Sequence, residues 1–417
     1  MIRSFIYYFF SLIIFFSYVA GFYYLENSSG QAGDSIHIFN NYQLFQKYNL
    51  DNLPWMEYGS SSLPLYYLIT SSFFDFKNVF SLRMFNLIIA ISSFFIFYQI
   101  LVNKFKKNKI FTNSQIVLLS SLIFLSPYFR TATFYGMEET TGIFFFLISI
   151  YLFKLYKKNN KNLTLFLCIF CSCLCFYSRQ SYLFLLVVFY FNLINLEKLI
   201  VKKNILISLT FVIFLIPSLY IFSIWGGIHT PAAVEVSSRN EYLQIHNLPF
   251  ILNIILIYLI PFIFLIFDSF KEFYRFLFAK ILLLIVFFII NLIILSTNEI
   301  QWVGGGAFSK LILITIKSEA LYLVLYSLLA SLSLVLIYEI SIKVNILLFF
   351  FILITLTFLN INLVFQEYFD PLILILLMSF FDFSKINKNK FINFPLFMGS
   401  YYLVFLVSSL FYYYKVV

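Results

Sequence analysis

Charge is what this sequence has least of: 11% of its residues are charged, against 62% hydrophobic. That ratio excludes a soluble globular protein, because even a large core must be covered by polar groups. Nor is there a polar stretch large enough to form a separate soluble domain. Cysteine is also scarce. The four present, Cys168, Cys171, Cys173 and Cys175, share one apolar run and none lies in a loop. No disulfide framework is implied, and without an accompanying histidine the cluster makes a poor metal site. These cysteines read as small apolar filler on a helix. An internal repeat is missing too, which weighs against a transporter built from repeated halves.

Long apolar runs are what the chain does have. A membrane-spanning helix needs roughly 20 apolar residues, and about a dozen such runs fit here. The expected fold is all-α: a polytopic membrane protein with about 11–13 transmembrane helices. One domain is expected over residues 1–417, with a first extracytoplasmic loop and interfacial helices at 25–76 and the remaining spans at 77–417. The net charge of +10 does not point to nucleic acid. Lysines cluster in short turns between apolar runs, as cytoplasmic loops do.

That bias orients the chain. Arg3 places the N-terminus inside. The run after it, about Ser4 to Tyr24, is longer than an ordinary signal-peptide core and reads as a retained first span. Lys104, Lys106, Lys107 and Lys109 are the next inside cluster. Only one crossing, about Leu82 to Val102, fits before them. The apolar piece Leu63 to Phe76 is therefore surplus, and short for a span. It is expected as a re-entrant or interfacial helix against the outer face. Further crossings are expected over Ile116 to Tyr128, Gly142 to Phe153, Leu163 to Tyr177 and Tyr182 to Leu196. Ile205 to Ile224, Phe250 to Phe267, Ile281 to Leu295 and Leu321 to Tyr338 follow. The last are Ile346 to Val364, Leu372 to Phe381 and Phe391 to Tyr414. Most of the 28 basic residues then fall inside.

Charges at membrane depth or at its edge are expensive and usually face a cavity. Here they gather at one face. Asp34, Glu57, Arg130, Glu138, Glu139, Arg179, Arg239, Glu241, Glu367 and Asp370 all fall outside, as do His37, His229 and His246. The longest polar interval, Gly33 to Tyr67, follows the first span and holds Asp34, His37, Asp51 and Glu57. Trp55 and Pro54 anchor it, and a Ser-rich turn closes it at Pro64. Asp34 with Ser35 could cap a short helix; on that helix His37 would share its face, an arrangement that also permits a metal. Arg179 is flanked by apolar sequence on both sides. An arginine there needs an anion, either a carboxylate or a ligand phosphate, unless it snorkels to the interface.

These stretches resemble a family. GDSIHIFNNYQLF, LPLYYL, LRMFNLIIA, FYGMEETTG, SRQSYLFLLVV, WGGIHTPAAVEVSSRNEYLQIHNLPFIL and FQEYFDPLILILL occur in that order. Together they resemble GT-C glycosyltransferases, polytopic enzymes that use polyprenyl-phosphate sugars. The nearest likeness is to the dolichyl-phosphate-glucose-dependent α-1,2-glucosyltransferases. The hallmark acid after span one is matched by Asp34, here followed by Ser35. The resemblance implies a hexosyltransferase, with Asp34 catalytic and His37, Glu57, Glu138, Gln180, His246 and Glu367 contacting substrate. Its donor would be a polyprenyl-phosphate sugar, with inversion at the anomeric carbon. Its acceptor would be a lipid-linked or surface glycan at the extracytoplasmic face of a bacterial plasma membrane.

The chemistry is consistent with that likeness. A carboxylate can take the proton of an attacking sugar hydroxyl, and Asp34 is the candidate, with Glu57 and Glu138 in reserve. The leaving phosphate gains charge and needs a fixed cation; Arg179 is the first choice and Arg239 the second. With one phosphate leaving group a divalent metal is optional. Two other readings stand beside this one: a surface-polysaccharide polymerase, and a non-enzymatic lipid or glycan transporter. The polymerase would carry its largest outer loops elsewhere, and the transporter would carry charges through the bilayer rather than at one face.

Overall fold

The computed structural model describes residues 2–106, 110–194, 197, 201–232, 244–297, 305–316, 318–341, 344–359, 361, 363–384, 386 and 388–415. Every regular element among them is helical. A chain this apolar has little choice, because in lipid the backbone must satisfy its own hydrogen bonds and a helix does so locally. The first helices are α1 (Ile2–Tyr23), α2 (Ile36–Lys47), α3 (Leu65–Phe73), α4 (Val79–Phe105), α5 (Asn113–Ser121) and α6 (Pro127–Phe134). Then come α7 (Glu139–Asn159), α8 (Asn162–Ser178), α9 (Leu183–Leu193), α10 (Lys202–Trp225), α11 (Asn247–Ile266) and α12 (Phe270–Ala279). The rest are α13 (Ile281–Ser296), α14 (Gly306–Thr315), α15 (Glu319–Ser341), α16 (Asn345–Phe358), α17 (Leu372–Phe380) and α18 (Phe394–Lys415).

The protein is a multi-pass, all-α membrane protein. Seven helices, α1, α4, α7, α10, α11, α15 and α18, are long and apolar enough to cross a membrane. The number is nine if two bent pairs each form one span: Asn113–Leu125 with α6, and α12 with α13. By length and composition the count among the described residues is thus below the 11–13 expected. The difference lies in apolar runs that fold as short helices. α8, α9, α16 and α17 have 17, 11, 14 and 9 residues, and at 1.5 Å per residue the shortest reaches only about 14 Å. The expected crossing Ile116 to Tyr128 is also broken. Pro127 opens α6, where its missing N–H costs nothing, and the chain bends by 66° there.

The chain packs as two compact units, one of residues 10–103, 123–239 and 410–417, the other of residues 1–9, 104–122 and 240–409. In the first unit α7 lies along α8. Phe153 stacks on Phe189 with ring centres 4.4 Å apart, and the buried cysteines Cys168 and Cys175 donate to the carbonyls of Ser149 and Gly142. They are packing residues, as the sequence suggests. The first loop is helical, and α3 is too short to cross. The Tyr66 hydroxyl, near the start of α3, donates to the Gly136 carbonyl at 2.8 Å. Arg83, beyond the end of α3, donates to the neighbouring Phe134 carbonyl and, at 2.8 Å, to that of Phe22. The chain therefore enters and leaves α3 at the same end of this unit.

Arg130 ties the end of α1 to α6. It is 1% exposed and binds Glu26 through two nitrogens, at 2.7 and 2.5 Å. It also donates to the carbonyls of Phe124 and Ser17, at 3.0 and 2.9 Å. Gly21 makes room for this pair: a Cβ there would lie 2.6 Å from the guanidinium. Removing one partner of a buried pair strands the other charge, at about 3–5 kcal/mol. Glu26→Gln is expected to fall near the lower bound, because the Glu26 side chain keeps 14% exposure. Glu26→Gln should thus lower the Tm of the detergent-solubilised protein by several degrees. The double change Glu26→Leu with Arg130→Met should recover part of the loss. A Tm unchanged by Glu26→Gln would show that the pair carries no stability.

In the second unit α11 is buried nearly all round and packs against α15. Its Asn253 donates to the Tyr326 carbonyl at 3.0 Å. Lysines close the end of this unit where α11 finishes. Lys104 donates to the carbonyls of Met378 and Phe381 at 2.8 and 2.6 Å, capping α17. Lys390 pairs with Asp268 at 2.7 Å. At the end where α11 starts, the Gln244 N–H bonds the Leu359 carbonyl at 2.8 Å. The Gly305 N–H bonds that of Val364 at 2.7 Å. Turns assigned to the same side by the positive-inside count thus meet one another.

Candidate functional site

The best-developed polar cluster lies in the first unit, where the turn at Gly59–Ser61 meets the start of α7 and the break between α8 and α9. Two acids open α7. An acid in the first helical turn is favoured by the free N–H groups and the helix dipole. Glu138 is buried and accepts from the Ser60 hydroxyl at 2.5 Å and from the Tyr67 hydroxyl at 2.8 Å. Burial, then the neighbouring Glu139, raise its carboxyl pKa above the ordinary value, against the lowering effects of Ser60, Tyr67 and Arg179. Tyr67 is itself buried, and burial together with Glu138 raises its pKa well above the ordinary value. It therefore stays protonated and remains a donor.

Glu139 faces Arg179. Its Oε1 lies 3.0 Å from the guanidinium, and the two side chains keep 23% and 17% exposure. Its Oε2 is buried without a hydrogen bond. Arg179 ends α8 in an extended conformation, and the helix resumes only as the short turn Gln180–Tyr182. A cation at a helix C-terminus is stabilised by the last carbonyls. Gly142 lets α7 come this close, because a Cβ there would lie 2.9 Å from the Tyr182 ring. Gln180 donates to the Ser61 carbonyl at 3.1 Å, and Thr230 to that of Ser60 at 3.2 Å.

The turn is set by α2 and an aromatic cluster. Asn41 accepts from the Gly59 N–H at 3.1 Å, and a Cβ on Gly59 would lie 2.8 Å from the His37 ring. Behind it Trp55, Tyr58, Phe45 and Tyr67 pack edge-on or stacked, and Trp55 continues to Trp225 at 5.5 Å. The indole N–H groups of both tryptophans are buried without a partner.

Of the residues singled out in the sequence, His37, Glu138, Arg179 and Gln180 thus meet at Gly59–Ser61. Glu57 is exposed in the turn before it. Asp34 sits in the 310 turn Gln31–Ser35, and its side chain lies outside the described residues, as does all of Arg239. Because that turn precedes α2, the residue in the cap position is Ser35, not Asp34. The Ser35 hydroxyl bonds the Ala32 carbonyl at 2.7 Å and gives no side-chain cap. His246 and Glu367 belong to the other unit. His246 immediately precedes α11, half-buried, and burial lowers its pKa. Glu367 lies in the turn Gln366–Tyr368, where its charge acts on Lys310. Among the described residues no group of three or more His, Cys, Asp or Glu could hold a metal ion.

Ser60, Tyr67 and Glu139 were not among the expected site residues. Glu139 was visible as the neighbour of Glu138. Nothing in the sequence pairs Ser60 or Tyr67 with an acid 78 or 71 positions away. Chemically, the arrangement offers a carboxyl with raised proton affinity beside a cation paired with Glu139. Compared with known protein families, characterised proteins and solved structures, the chain matches none.

Proposed function

We propose that the protein is a membrane glycosyltransferase of the GT-C kind. It transfers a hexose from a polyprenyl-phosphate sugar to a glycan acceptor at the extracytoplasmic face, with inversion. The observation that carries this reading is the meeting of Arg179, Glu138, Gln180 and His37 on the turn Gly59–Ser61, next to the loop that holds Asp34. These residues come from three stretches of the sequence resemblance, and the likeness itself required no such proximity.

In this reading the acceptor oxygen attacks the anomeric carbon, and the bond from that carbon to the phosphate oxygen breaks. The hydroxyl proton passes to a carboxylate, Asp34 by the sequence likeness. The polyprenyl phosphate leaves with the added charge, which Arg179 stabilises in a partly dry site. Arg179 must then exchange Glu139 for phosphate. Two charge-assisted contacts to the guanidinium fork would repay the loss of the 3.0 Å contact to Glu139.

The test is transfer of radiolabelled hexose from synthetic polyprenyl-phosphate glucose, galactose or mannose into glycan of membranes that contain the full chain. Transfer is expected from one donor, with release of polyprenyl phosphate. Failure of all three donors both to bind and to transfer would overturn the reading. Chain growth from a pyrophosphate-linked oligosaccharide instead would assign the site to polymerisation.

A further inference from the structure

α12 belongs to the second unit, not to the unit that holds the site. Ser269 caps it, accepting from the Glu272 N–H at 3.2 Å, and the Glu272 side chain returns to the Asp268 N–H at 2.6 Å. At about 100° per residue, Phe270, Tyr274 and Phe278 form one row, and they are 82%, 61% and 67% exposed. Phe273 and Phe276 turn the other way and pack on Phe267, at 5.2 and 4.9 Å. Lys271 and Arg275, one turn apart, rim the free row and are exposed. The helix then bends by 72° into α13, whose outward side carries exposed Leu282, Ile285, Val286, Ile289 and Ile293.

We propose that α12 lies in the membrane plane, its Phe270–Tyr274–Phe278 row in the headgroup–acyl boundary and its cations on anionic lipid headgroups. As half of one bent span, α12 would hold Lys271, Glu272 and Arg275 exposed at hydrocarbon depth, which is expensive. Turned by 72°, it keeps them at the water boundary while the aromatic row enters lipid. Tyr274, an apolar ring with a wet hydroxyl, suits that depth, and Phe270 and Phe278 suit the apolar face of an interfacial helix. The occupant is lipid because the row continues into the outward side of a spanning helix, and because its rim is cationic where anionic headgroups lie. The span is then α13 alone. Its 16 residues reach about 24 Å, no more than α8, so it crosses only where the bilayer thins locally around it.

The experiment uses the full chain with its four cysteines changed to alanine. Nitroxide labels are placed by Tyr274→Cys, Phe278→Cys and Ala279→Cys. Each protein is reconstituted in phosphatidylcholine bilayers with or without phosphatidylglycerol. Relaxation by a nickel chelate in the water should be several-fold weaker at 274 and 278 than at 279. Relaxation by oxygen should be correspondingly stronger. The chelate protection should deepen with phosphatidylglycerol, and that gain should vanish in Lys271→Gln with Arg275→Gln. Labels at 274 and 278 as open to the chelate as the label at 279 would overturn the proposal. So would protection that needs an added membrane extract, which would assign the row to a protein. Protection unaffected by phosphatidylglycerol or by the glutamines would remove the anionic headgroup from it.

Discussion

Arg179→Ala should lower turnover with a polyprenyl-phosphate sugar by about 10²–10³-fold, the usual effect of removing one preorganised group that meets developing negative charge. Arg179→Lys should lower donor affinity by about tenfold, since one charge-assisted hydrogen bond is lost while the charge remains. Arg179 also has a structural partner, so the loss needs a control. Glu139→Gln breaks the same 3.0 Å ion pair but leaves the guanidinium in place. If Arg179 serves the donor, Glu139→Gln should leave donor binding equal or tighter, because the competing carboxylate charge is gone. If Arg179 only fastens α7 to the α8–α9 break, the two substitutions should be alike in activity and in Tm. Parallel effects of Arg179→Ala and Glu139→Gln would sink the donor assignment.

The sequence was legible where one physical rule dominated. The span α11 runs over Asn247–Ile266 against an expected Phe250 to Phe267, and α8 over Asn162–Ser178 against Leu163 to Tyr177. Hydropathy alone marks both. The surplus piece after the first loop was legible from charge, because only one crossing fits between an outer loop and Lys104. It folds as the nine-residue α3. Elements that mix the two signals were not legible. α12 alternates Phe with Lys, Glu and Arg, so it passed for a cytoplasmic turn although Phe270, Tyr274 and Phe278 repeat every four residues. α14 was hidden by the glycines before it and by Lys310 within it. The helix starts where Gly305 and Gly306 adopt left-handed backbone angles, φ 70° and 77°. A Cβ at Gly306 would meet Ile254 at 2.5 Å.

The site was half legible for a similar reason. A lone Arg179 between apolar runs announces an anion, and the structure supplies Glu139. Which of two adjacent acids takes which role is a matter of packing. Glu138 turns inward to Ser60 and Tyr67 while Glu139 turns to Arg179. The partners come from α3 and from the turn before it, and their register against α7 follows from the aromatic cluster around Trp55 rather than from any spacing.

Asp34→Asn should reduce turnover by about 10²–10⁴-fold, the range a general base contributes, while the protein still extracts and folds. Asparagine keeps the size and the turn-forming hydrogen bonds of aspartate but cannot take the proton. A purely structural Asp34 in the turn Gln31–Ser35 therefore predicts near-normal activity. Glu138→Gln and Glu57→Gln are the parallel substitutions. Glutamine at 138 still accepts from Ser60, and its amide N–H can donate to the Tyr67 oxygen where the carboxylate accepted, so the turn at Gly59–Ser61 should persist. The pH profile separates the acids further. A base works only when deprotonated, so activity falls as pH drops through its pKa in the folded enzyme. Burial and Glu139 raise that value for Glu138; were Glu138 the base, the acid limb of kcat/KM would lie above the ordinary carboxylate range. It would also disappear in Glu138→Gln together with most of the activity. With Asp34 as the base, the limb stays in Glu138→Gln and the residual activity of Asp34→Asn loses it. Full activity in Asp34→Asn, with an unchanged acid limb, would remove Asp34 from the mechanism and leave the proton to Glu138 or Glu57, whichever glutamine variant loses the activity and the limb.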